Sequence, residues 1–196
     1  MVLLAGFLLA LAVAFAGGGR VRRLADLRFR GLGVFYAALG LQLVAFPTGL
    51  VPWAPGDRVA TWMSLASYGC LIAGILCNLR LPGARLLGLG MACNLVAILA
   101  NGGHMPSTPG ARRSAGIVEH GIHNNSVALV HPRLPWLVDR FAVPHWMPFA
   151  NVFSVGDALI VAGALVLLWM GMGAALPGRR QQPLETGLAG GPSGTP

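Results

Sequence analysis

Of the chain's 196 residues, hydrophobic types supply 55% and charged types only 10%, and the mean hydropathy is +0.67. That balance excludes an ordinary soluble domain and fits a chain that crosses a membrane several times. The net charge of +8 arises from 14 basic residues, every one an arginine, against 6 acids; because the arginines flank apolar stretches, topology and anionic lipid head groups account for them, and nucleic acid is not an expected partner.

The first apolar stretch, Val2–Gly19, is read as a membrane span. Ala14-Phe15-Ala16 ahead of Gly17 resembles a signal cleavage site. No basic residues precede the stretch, however, and a dense arginine run follows it, so a retained anchor is expected. That run is Arg20, Arg22, Arg23, Asp26, Arg28, Arg30. Further spans are expected at about 31–51, 60–79, 86–103 and 152–172, each near the roughly 20 residues needed to cross the hydrocarbon core. Arg80 and Arg85 lie between the third and fourth, and Arg179 and Arg180 follow the fifth. All nine of these arginines then fall on one side, which the positive-inside rule makes cytoplasmic, leaving the N-terminus outside. The expected localisation is a bacterial plasma (inner) membrane. Residues 177–196, rich in Gly, Pro, Gln, Ser and Thr, are expected to be a disordered cytoplasmic tail.

The outer segment, about 104–150, holds all five histidines (His104, His120, His123, His131, His145) and the acids Glu119 and Asp139. A loop of this length is uncommon between packed elements unless it is functional or folds against its neighbours. Its prolines, interleaved with Trp136, Phe141, Trp146 and Phe149, suggest a cap at the membrane interface, where aromatic rings sit well. His120 and His123 with Glu119 do not form a recognised metal motif, and no metal or cofactor is expected. Cys70, Cys77 and Cys93 all lie within spans without a Cys-x-x-Cys spacing, so they are read as small buried hydrophobes.

Asp157 is the most informative residue, an ionisable group within the last apolar stretch. Such a group is costly in lipid and demands a partner. Asn94 and Asn101 lie seven apart, on one face of the fourth span, with Gly90 and Ala97; Gly156 and Gly163 give the fifth span a small-residue face beside its acid. Small residues allow close helix approach, and intramembrane Asn bonds across helix pairs. The expected polar cluster is Asp157 with Asn94, Asn101, His104, Asn151 and Ser154, approached from the loop by Asp139.

Asn101-Gly102-Gly103-His104-Met105-Pro106, Leu134-Pro135-Trp136-Leu137-Val138-Asp139 and Asn151-Val152-Phe153-Ser154-Val155-Gly156-Asp157, with Arg23-Leu24-Ala25-Asp26-Leu27, resemble an uncharacterised family of small bacterial integral membrane proteins, a domain of unknown function. The resemblance implies architecture and no activity. A partial resemblance is to lipoprotein signal peptidase, a four-span aspartic peptidase. Asn94 matches that family's Asn, Leu137-Val138-Asp139-Arg140-Phe141 its first acid motif and Phe153-Ser154-Val155-Gly156-Asp157 its second. Ser154, Gly156 and Ala97 depart from it. The resemblance implies Asp139 and Asp157 as catalytic residues, since two close carboxylates share a proton and can act as acid and base.

The expectation is therefore an all-α integral membrane protein of about five transmembrane helices with a long extracytoplasmic cap between the fourth and fifth. Three functions stay open: an aspartic peptidase-like hydrolase, a cation or proton binding or transport protein, and a non-catalytic component. Besides the lipid bilayer, the partner would be a membrane-embedded peptide, a lipid or a protein at the outer face.

Overall fold

The computed structural model describes residues 2–46, 55–117, 122–123 and 126–175. Within them the chain is mostly helical: α1 Val2–Ala16, α2 Leu32–Ala45, α3 Asp57–Leu76, α4 Ala84–Ala100, α5 Pro109–Ser114 and α6 Val155–Gly171, with a 3₁₀ turn at Val21–Asp26. Only α3 is long and apolar enough to cross a membrane on those criteria alone. The other long helices, α1, α2, α4 and α6, are apolar and run 14 to 17 residues. The end of the expected second span at 47–51, the tail 177–196 and the side chains of His120 and His123 lie outside the described residues.

The expected spans are corrected at their ends. Gly17–Gly19 leave α1 in a turn, because Gly18 takes a left-handed φ of +75° that a helix cannot continue. Residues Asn151–Phe153 form a strand rather than the first turn of the last helix. Three apolar-flanked residues read equally well as helix or strand, and pairing with Phe141–Val143 decides it. The third expected span starts earlier, at Asp57, whose carboxylate suits a helix N-terminus.

The helices pack in series, α2 on α3, α3 on α4, α4 on α6 and α6 on α1. The α4–α6 seam is closed by two glycine pairs. A Cβ at Gly90 would lie 2.5 Å from the carbonyl oxygen of Gly156, and one at Gly163 would lie 2.7 Å from the amide of Leu87 and 2.9 Å from the carbonyl oxygen of Gly83. Backbones this close leave room for no side chain. At the far end of α6, Arg20 N–H donates to the Met172 carbonyl and Ala175 N–H to the Gly17 carbonyl, 2.9 and 3.0 Å, over a core of Ala10, Ala14, Leu168 and Met172.

Between α4 and α6 the chain folds into small elements. Strand β1, Met105–Ser107, pairs in parallel with β3, Ser126–Ala128, which pairs antiparallel with β2, Ile122–His123. Strands β4, Phe141–Val143, and β5, Asn151–Phe153, form a hairpin whose Phe141 and Phe153 rings stack at 5.4 Å. Helix α5 is capped by Thr108, whose hydroxyl accepts from Ala111 N–H, and carries proline in its first turn. Ala111, Ala115 and Val152 form the core beneath it.

Candidate functional site

Residue types dictate how α6 begins. Ser154 is the N-cap and Asp157 the third helical residue: Asp157 N–H donates to Ser154 Oγ and Ser154 N–H to Asp157 Oδ2, both at 3.0 Å. This reciprocal capping box satisfies two amides that the first turn would otherwise orphan. Asp157 is therefore in the first turn of α6, at the start of the last long helix.

Asn94 of α4 completes the arrangement. It is 4% exposed. Ser154 Oγ donates to its Oδ1 at 2.8 Å, and its Nδ2 donates to Asp157 Oδ1 at 2.9 Å. Together with Asp157 N–H to Ser154 Oγ these bonds close a ring, Ser154 to Asn94 to Asp157 and back. The glycine seam makes the ring possible, since a side chain at Gly156 would overlap Asn94 Oδ1. Both Asp157 oxygens accept an N–H at the positive end of a helix, an environment suited to a carboxylate.

Asp139 comes from the loop. Its turn begins at Leu134, a non-glycine residue held at φ +53°, and closes with Leu137 N–H on the Leu134 carbonyl at 2.9 Å. Such a conformation costs of order 1 kcal/mol or more and persists only where its surroundings fix it. Here both ends are fixed. Asn101 grips the peptide of Arg133, its Oδ1 accepting from Arg133 N–H at 2.8 Å and its Nδ2 donating to the Arg133 carbonyl at 2.9 Å. Asp139 N–H donates to the Pro106 carbonyl and its own carbonyl accepts from Thr108 N–H, 2.9 and 3.0 Å. The Asp139 side chain is buried, and its Oδ1 has no hydrogen-bond partner among the described residues. Burial, with the charge of Asp157 adding to it, pushes Asp139 up from 3.8 to about 7. The two acids thus interact, and Tyr68 of α3 lies in the field of both.

The expected cluster divides. Asn94, Ser154 and Asp157 are joined directly, with Asp139 in electrostatic reach. Asn101 is not a partner of Asp157; its amide also donates to the Ala97 carbonyl at 2.8 Å, and it holds the loop that carries Asp139. Asn151 Oδ1 accepts from Val152 N–H at 2.9 Å within β5. His104 lines a separate open cleft of about 400 Å³ with Arg58, Trp62 and Leu99. Among the described residues no three His, Cys, Asp or Glu side chains converge as a metal site. Tyr68 was not singled out by sequence. Its one signal was being a phenol inside an apolar stretch, which reads as an ordinary aromatic.

Residues 26–169 match a family of unknown function, DUF5317. The chain belongs to that family. The resemblance to an uncharacterised family seen in the sequence is thereby borne out. The DUF5317 match includes Tyr68, Asn94, Asn101, Asp139, Ser154 and Asp157, and leaves α1 outside. No curated protein and no solved structure matches the chain.

Proposed function

We propose that this DUF5317 protein is an integral membrane protein whose apolar helices α1, α2, α3, α4 and α6 span a bilayer, with the Asp139–Asp157 site at its outer face. The support is the surface. Leu4, Leu8, Leu9, Leu39, Leu43, Trp62 and Leu99 are each about half exposed or more on helices, and large apolar side chains exposed in such number suit contact with lipid. Helices shorter than 20 residues cross when the bilayer thins locally or when flanking residues extend the apolar stretch. Exposed Trp136, Trp146 and Phe149 on the folded cap suit the interface. Resistance of the chain to alkaline carbonate extraction, and reporter fusions active outside only within the 104–150 segment, test this reading. A translocated reporter active just after Arg30 sinks the topology.

At the site, the pair acts as an acid and a base of the aspartic hydrolase kind. The observation that carries this is a buried Asp139 oxygen without a partner, in the field of a second carboxyl group that is itself fully oriented. Asp157 takes a proton from water as the water oxygen bonds to a substrate carbonyl carbon, and protonated Asp139 gives its proton to the carbonyl oxygen. One hydroxyl then returns its proton to Asp139 as the carbon–nitrogen bond breaks, and the proton on Asp157 goes to the leaving amine. The substrate class is a membrane-embedded peptide with an outer juxtamembrane segment. Proteoliposomes carrying the wild-type chain should release fragments from such a peptide, with loss of at least about a hundredfold in Asp139→Asn and Asp157→Asn. Equal release by wild type and Asp139→Asn removes the hydrolase reading.

One observation favours a second reading: the closed ring already uses both Asp157 oxygens, as a structural strut between α4 and α6 would. A strut tolerates Asp139→Asn without loss of any function and fails with Asp157→Leu.

A further inference from the structure

At the opposite end of the bundle from the acids, the 3₁₀ turn Val21–Asp26 is held on the ends of α1 and α6. Leu24 packs on the core of Ala10, Ala14, Leu168 and Met172. A Cβ at Gly171 would meet Leu24 and Leu27 at 2.9 Å, so the turn sits tightly on α6. Its backbone is therefore fixed, and its arginines are presented together. Arg20, Arg22 and Arg23, with Asp26, line a concavity of about 550 Å³. Among the described residues none of the three guanidinium groups has a hydrogen-bond or ion-pair partner. Val21, between Arg20 and Arg22 in the chain, is 51% exposed, and Phe15, near the end of α1, 49%.

We propose that this concavity binds the phosphodiester head group of an anionic phospholipid in the cytoplasmic leaflet. The inference rests on the membrane reading and adds a specific lipid site to it. Three unpaired guanidinium groups against one carboxylate leave a surplus of positive charge that matches a phosphate, and guanidinium forks suit phosphate oxygens. The exposed apolar side chain of Val21, between Arg20 and Arg22 in the chain, favours an amphiphile over a free anion, because acyl chains cover apolar surface that an inorganic ion leaves wet.

The test uses the full chain in nanodiscs of mixed phosphatidylcholine and phosphatidylglycerol, with co-purifying lipid counted by native mass spectrometry. Arg20→Gln, Arg22→Gln and Arg23→Gln combined should lower phosphatidylglycerol retention by about a hundredfold, taking the typical contribution of a basic residue near an anionic surface for each. Arg113→Gln, Arg133→Gln and Arg140→Gln combined remove equal charge at the other end and should leave retention unchanged. Thermal melting of both variants checks that they fold. Equal retention in the two triple variants overturns the site, as does displacement of the lipid by millimolar inorganic phosphate, which would identify a free-anion site. Recovery of the chain without detergent in the soluble fraction, measured before any lipid is added, would instead overturn the membrane reading itself.

Discussion

The two ends of the helical bundle use the same device for different purposes. At one end Asn78, just past α3, donates to the Gly74 carbonyl four residues back and grips the peptide of Arg30, accepting from its N–H and donating to its carbonyl, all at 2.7 to 2.8 Å. At the other end Asn101, just past α4, donates to the Ala97 carbonyl four residues back and grips the peptide of Arg133 in the same two-bond manner. The Asn78 clamp fixes the entry to α2 amid arginines. The Asn101 clamp fixes the loop that brings Asp139 toward Asp157. An asparagine at a helix end is thus a generic means of holding a distant peptide, and the role of the clamp is set by what the held segment carries. Asn94, inside α4, does something else: it meets side chains, because the glycine seam brings α6 against it.

The largest contrast between the ends should be in pH response, because burial moves the titration of Asp139. The folded value of Asp139, about 7, lies above its ordinary 3.8. Below about pH 4 both folded and unfolded states are protonated and the full stability is present. As pH rises toward 7 the unfolded chain ionises while the folded chain holds its proton, so stability falls at up to about 1.4 kcal/mol per pH unit and levels off above 7. Asp139→Asn should flatten that slope in melting curves from pH 4 to 7.5. An unchanged slope would show that the acid-bearing end is electrostatically as inert as the arginine end.

Gly156→Ala comes next. Its Cβ would overlap Asn94 Oδ1 and approach the Gly90 carbonyl oxygen at 2.7 Å, and backbone cannot yield as a flexible side chain does. A loss of about 3 kcal/mol is expected, read as a lower melting temperature in detergent. Gly33→Ala and Gly40→Ala on α2 meet nothing within 4 Å and should gain up to about 1 kcal/mol. Equal effects at Gly156 and Gly33 would dissolve the distinction between a tight seam and a loose face.

Asp157→Leu should cost about 2 kcal/mol by leaving Ser154 N–H and Asn94 Nδ2 buried without acceptors, whereas Asp157→Asn, which can still cap, should cost less. The smallest pair tests the parallel between the clamps: Asn78→Ala and Asn101→Ala should each cost about 1 to 2 kcal/mol. Only Asn101→Ala should also move the Asp139 titration, followed by the carbonyl stretch of its protonated form in infrared difference spectra. A shift of that band in Asn78→Ala, or none in Asn101→Ala, would break the assignment of Asn101 as the residue positioning Asp139.

Much of this was legible in composition and spacing, because helices repeat in one dimension. The apolar stretches gave five long helices near their observed places, and the seven-residue spacing of Gly156 and Gly163 marked a face that α4 does approach. The Asn94, Ser154 and Asp157 grouping was legible because a buried carboxylate must find donors and few polar side chains were at hand. Boundaries failed where a short segment is ambiguous: Asn151–Phe153 is apolar enough for a helix and became a strand through its partner. With the helix start moved to Val155, Asp157 falls in the first turn, where it has backbone amides beside it.

By itself, then, the sequence determined the apolar helices, the arginine distribution and the chemical identity of the acids, all of which follow from local composition and one-dimensional period. Only the tertiary structure decided that Asn94 rather than Asn101 bonds Asp157, that Tyr68 lies in the field of both acids, and that Asp139 is buried with an oxygen unpartnered among the described residues. These depend on interactions between residues far apart in the chain, such as Asn94 and Asp157, fixed by how closely α4 and α6 approach and by where two asparagine clamps set the connecting loops down.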